Sequence, residues 1–185
     1  MINLKQNIQK LVISASLITL IVGCSTAKPE KTAQTTKLTD ANIAAIVVGA
    51  NNIDISAGNI ALKRSNNSEV KKFANRMIVD HKSVLASAVK LVTKLGVTPV
   101  NNDLVFALAD QSKNHEAKLN TLNGDAFDKA YIDHEVAYHE AVIGVIEDQL
   151  IPSASNAELK ALLVSVLPAF KAHLQHCKMI QETLS

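Results

Sequence analysis

Residues 69–95 read EVKKFANRMIVDHKSVLASAVKLVTKL. Apolar side chains recur there at spacings of three and four: Val70, Phe73, Met77, Val84, Ala88, Leu91 and Leu95. That period is helical, and it lays one apolar stripe along one face. The stripe is broken once, by His81, which stands where a core residue belongs. Asn67 or Ser68 supplies an N-cap, Gly96 a stop, and Pro99 lies just beyond.

Working outward, the same period returns with no convincing strand pattern. Helices are expected over about Asp40–Arg64, capped by Thr39 or Asp40, and over about Asp103–Leu122, stopped by Asn123-Gly124. Two more are expected over about Ala126–Leu150, stopped by Pro152, and about Ala157–Thr183, capped by Ser155 or Asn156. Pro168 falls inside the last and should kink it, because proline removes one ladder hydrogen bond. The turns Ser65–Ser68 and Ile151–Asn156 are short, so the helices they join form hairpins. The connection between the hairpins is long and holds a helix of its own. The expected fold is all-α: a ferritin-like antiparallel four-helix bundle with one extra helix in the crossover, over residues 39–185.

Two further stripes carry the same interruption. One runs Ile132, Val136, His139, Ile143, Ile146, Leu150; the other runs Leu159, Leu162, Val166, Phe170, His173, Cys177, Ile180, Leu184. The first helix has a stripe of small residues holding one carboxylate: Ile43, Val47, Ala50, Asp54, Ala57 or Gly58, Ala61. Asp54, His81, His139 and His173 each lie within about three residues of their helix midpoint, a vertical scatter of roughly 5 Å or less. Four polar side chains from four helices are therefore expected in one layer of the core.

A buried imidazole or carboxylate is costly unless it is paired. Three histidines and a carboxylate suit one divalent transition metal, whether zinc, iron, manganese or copper. The alternative is a buried hydrogen-bond network in a non-catalytic interaction or scaffold module. Met77, one turn before His81, and Cys177, one turn after His173, are candidate extra ligands, against plain packing of both. Glu135, four residues before His139, is a candidate acceptor for that ring's second nitrogen. Asp80 points about 100° away from His81 and is expected to face solvent or a cap; His115 and His176 are placed on the surface. No Glu-x-x-His occurs, which argues against an oxygen-activating or iron-storing ferritin. No nucleophilic triad or phosphate-binding glycine loop is present either, so no catalytic residue is assigned and a non-enzyme is favoured.

The start of the chain reads as an export signal. Lys5 and Lys10 precede the apolar run Leu11–Val22, which is too short for a bilayer that takes about 20 residues. Ile21-Val22-Gly23-Cys24 has the form of a lipoprotein cleavage site. Residues 1–23 are then removed and Cys24 carries the lipid, a diacylglycerol and palmitate. Residues 24–38 form a flexible tether. Ser25, which is not Asp, resembles the outer-membrane sorting signal of two-membrane bacteria, so the expected place is the outer membrane, facing the periplasm. Cleavage also removes two of the 19 basic residues and leaves 17 against 17 acidic ones. A neutral chain with 3% aromatics and no tryptophan offers nothing to nucleic acid, and the expected partner is the membrane, through its lipid.

Three segments also carry a resemblance. Ser68–Met77 with Asp80-His81, Ala126–Tyr131 with His139-Glu140, and Leu167-Pro168 with His173-Leu174 resemble the motifs of a family of bacterial exported proteins described as outer-membrane proteins of unknown function. The resemblance runs from about Asp40 to the C-terminus. It implies a ferritin-like fold and marks His81, His139 and His173 as motif histidines; Asp54 stands where the family usually has Glu. It implies no biochemical activity.

Overall fold

A computed structural model describes residues 37–184; the signal segment, Cys24 and almost all of the tether lie outside them. Among the described residues every regular element is helical. The five long helices are α1 (Asp40–Arg64), α2 (Ser68–Leu95), α3 (Asp103–Asn120), α4 (Gly124–Val145) and α5 (Ala157–Thr183).

The starts follow from side chains that satisfy the orphan amides of a first turn. Thr39 and Asn42 form a reciprocal capping box on α1. Asn67, Asn102 and Asn156 each accept first-turn amides of α2, α3 and α5. α2 ends at Gly96, whose φ of 65° is left-handed backbone that glycine adopts without strain. The fourth helix differs from expectation at its end. α4 stops at Val145, a π turn follows over Ile146–Leu150, and a last turn covers Ile151–Ser153. Pro152 has no N–H to return to the preceding turn. The ladder widens just ahead of it, and Ile151 N–H bonds back to the Ile146 carbonyl. α5 continues through Pro168 as one helix.

Three residues, 65–67, join α1 to α2, which pack along each other; α4 packs on α5. The two hairpins meet through α2 on α5 and α1 on α4, while α3 rests on α1 and α4. Among the described residues α1 alone is long and apolar enough to cross a membrane, yet its Ile43, Ile46, Val47, Ala50, Ala57 and Ala61 are buried in this core. α1 is tied at both ends. Asp40 accepts the amides of Ser155 and Asn156 at 2.8 and 3.0 Å. Arg64 donates to the carbonyls of Leu119 and Leu122 at 2.7 and 2.6 Å and lies over the Phe127 ring. One end of the core is filled by Phe73, Met77, Leu119, Phe127, Tyr131 and Ile132. The α5 stripe passes through Leu163 rather than Leu162, which is half-buried.

Candidate metal centre

α2, α4 and α5 each turn one histidine into the same layer. His81, His139 and His173 are 1%, 2% and 0% exposed. Their ring centroids form a nearly equilateral triangle: 5.8 Å from His81 to His139, 5.4 Å from His81 to His173, and 5.6 Å from His139 to His173. Phe170, one turn before His173, stacks on His81 at 5.0 Å and walls one side of the triangle.

The second nitrogen of each ring is held from outside. His81 Nδ1 lies 2.9 Å from Asn51 Oδ1, and Asn51 Nδ2 donates to the Val47 carbonyl at 2.7 Å, which fixes the amide with its oxygen toward the ring. His139 Nδ1 lies 3.0 Å from the Glu135 carbonyl oxygen. His173 Nε2 lies 2.8 Å from Asp80 Oδ2. All three partners are acceptors, so each of these ring nitrogens carries the proton. The remaining nitrogens, Nε2 of His81, Nε2 of His139 and Nδ1 of His173, are lone pairs. All three are buried without a hydrogen-bond partner. One ligand nitrogen from each histidine falls within 4.8 Å of the others.

Burial keeps the rings neutral. It pushes His81 down to about 2 and His139 down to about 4, the neighbouring imidazoles adding to the effect. His173 is also lowered by burial, against the pull of Asp80.

A second donor group adjoins the first. Carboxyl oxygens of Asp54 and Glu135 lie within 4.8 Å of one another and of a His139 ring nitrogen. Burial pushes Glu135 up to about 8, and burial together with the Glu135 charge raises Asp54 well above the usual carboxylate range. Asp54 Oδ2 is 3.5 Å from His81 Nδ1. Asp54 thus joins Glu135 and His139 rather than all three histidines. For Glu135 the expected acceptor needs correction: its backbone carbonyl, not its carboxyl, takes the His139 proton, and Oε2 stands 3.5 Å off.

The candidate extra ligands lie elsewhere. Met77 is fully buried among the apolar residues of the core. Cys177 belongs to neither donor group; its Sγ contacts the Leu174 carbonyl at 3.2 Å, and burial pushes the thiol up to about 12.

Three placements correct the sequence expectation. Asp80 does not simply face solvent; it reaches across to α5 and holds His173. Burial tends to raise it, but the bonds from His173 and Arg76 outweigh that and leave it below its ordinary value. His115 is buried at 8% exposure, its ring stacked 3.5 Å from His134. His176 is half-buried against Phe73 at 5.4 Å. Asn51 and Phe170 complete the surroundings. In the sequence Phe170 is one more member of an apolar stripe, and Asn51 carries no signal of its own, although it precedes Asp54 by one turn on the small-residue face.

No curated protein matches the chain. A solved structure described as CopM in the Cu(II)-bound form shares the fold, with a TM-score of 0.62 over 81% of this chain and 100% of that one, at 14% identity. A family model described as a domain of unknown function, DUF4142, matches residues 25–180, and the chain belongs to that family.

Proposed function

We propose that this protein binds one divalent transition-metal ion through His81 Nε2, His139 Nε2 and His173 Nδ1. One observation carries the reading: three buried imidazoles have a ligand nitrogen apiece within 4.8 Å of one another, and each keeps one nitrogen without a partner while its opposite nitrogen is anchored. A hydrogen-bond network would use those lone pairs; a metal site needs them free and needs the other nitrogens fixed. Three neutral imidazoles suit zinc or copper. The Cu(II)-bound form of the structural neighbour makes copper the first ion to try.

The rest of the reading concerns setting. The bundle is of the ferritin-like type with a helical crossover. The chain is a lipoprotein anchored at Cys24 to the outer membrane, facing the periplasm, with a metal- or stress-related role in the envelope and no catalysis assigned.

Metal analysis of tag-free protein tests the site, with His81→Ala and His173→Ala beside the wild type. About one equivalent of ion in the wild type and loss in both variants is the expected result. A wild type that takes up none of zinc, copper, iron or manganese, with a Tm unmoved by all four, would leave the interaction module as the better description. Cys24→Ser should move the protein from the membrane to the soluble fraction and abolish palmitate labelling.

A further inference from the structure

Asp54 and Glu135 are not needed by a three-imidazole site, yet they are buried beside it. Their side chains are 3% and 1% exposed. Asp54 Oδ1 and both carboxyl oxygens of Glu135 make no well-formed hydrogen bond; the two carboxyl groups interact with each other, and Glu135 with the Tyr131 side chain. No lysine or arginine pairs with either among the described residues. In their ionised form, groups so placed are expensive to bury unless a positive charge stands near them.

Their position is specific. Asp54 Oδ2 lies 3.5 Å from His81 Nδ1, and Glu135 Oε2 lies 3.5 Å from His139 Nδ1. Both carboxyl groups therefore sit on the anchored side of a ring whose other nitrogen is buried without a partner. A carboxyl group there, ionised once a cation stands in front of the ring, acts across it, making the imidazole a stronger donor and offsetting the charge of the ion it holds. Attraction scales with the charge of that ion, and it is strong where water is excluded. Asp80 does the same for His173 from a half-exposed position, where solvent weakens it.

We propose that Asp54 and Glu135 make this centre select a doubly charged ion over a singly charged one, so that it takes Cu(II) or Zn(II) in preference to Cu(I). The inference rests on the three-imidazole reading. The two residues are positioning residues, and neither is a ligand.

The test titrates the metal-free full-length protein with Cu(II), and anaerobically under reductant with Cu(I), against chelators of known affinity. Wild type, Asp54→Asn, Glu135→Gln and the charge-keeping Glu135→Asp are compared. Each amide variant should lose about tenfold or more in Cu(II) affinity while Cu(I) affinity stays within about threefold. The potential of bound copper should then rise by about 59 mV for each tenfold change in the ratio. Glu135→Asp should restore the wild-type ratio, which also separates lost charge from poor folding. Equal losses for both ions would overturn the inference in favour of a structural role. Two ions bound per wild-type chain would overturn it too, by making Asp54 and Glu135 ligands of a second ion. If His81→Ala and His173→Ala bind as the wild type does, the three-imidazole reading fails, and this inference with it.

Discussion

Each imidazole of the triad is oriented by a residue from a different class: an amide for His81, a backbone carbonyl for His139, a carboxylate for His173. Only the last can be removed without disturbing the core, since the Asp80 side chain is 36% exposed. Asp80→Ala frees the ring to turn and withdraws a charge. Metal affinity should fall roughly 10- to 100-fold, read by chelator competition, with the fold retained. The three histidines could be read from sequence because each interrupts an apolar stripe, and so could Asp54. Asp80 could not. It is next to His81 in the chain, but its partner lies on α5, and helical spacing carries no information about a bond between helices. Asn51 was hidden for a related reason. It sits beside Asn52 in a helix of small residues, where a polar side chain looks like an exposed one.

The helices themselves were legible because caps and stops sit at their ends: Thr39, Asn67, Gly96 and Asn156 each act locally. The π turn before Pro152 was not, since the choice between a four- and a five-residue ladder depends on a missing donor and on packing together. The approach of α1 to α2 is another property of the pair. A Cβ on Gly58 would meet the Ala74 carbonyl oxygen and Ile78 Cγ1, both at 3.0 Å. The first of these is backbone and cannot swing aside. Alanine favours a helix interior by about 1 kcal/mol over glycine, but forcing apart a packed interface costs about 1–3 kcal/mol. Gly58→Ala should therefore lower stability by up to about 2 kcal/mol in urea unfolding. A stabilised variant would mean that the two helices separate freely.

At the scale of the whole domain, opposing buried groups set the pH response of the metal-free protein. His81 and His139 have an ordinary value of 6.5 when unfolded and about 2 and about 4 when folded. Below 6.5 the unfolded chain binds the extra protons, so stability falls as pH drops. His115, lowered to about 4, and the lowered His134 and His173 act the same way. Glu135 does the reverse: its value rises from 4.5 to about 8, so the folded chain holds the proton and stability falls as pH climbs through that range. Five histidines outweigh two carboxyl groups, so melting temperature should rise from pH 4.5 to about 6.5 and decline more gently toward pH 8. A flat profile would contradict the burial described for these groups. Zinc or copper at about 100 times its Kd should add about 2.7 kcal/mol, or roughly 5–10 °C in Tm for a domain of this size. The pairing of the two hairpins followed from their short turns, whereas the resting place of α3 did not. It depends on tertiary contacts such as Val100 N–H to the Ala41 carbonyl, which tie the crossover to α1. The three histidines also come from three helices that are far apart in the chain. An ion joining positions 81, 139 and 173 would close one loop of 58 residues (139 minus 81) and another of 34 (173 minus 139). Such an ion ties three distant parts of the chain together as a disulfide would, but only while the chain is folded and the three rings meet. Cys177 is the only cysteine among the described residues and is free. The ion would then be a reversible cross-link, made when metal is supplied and undone by a chelator.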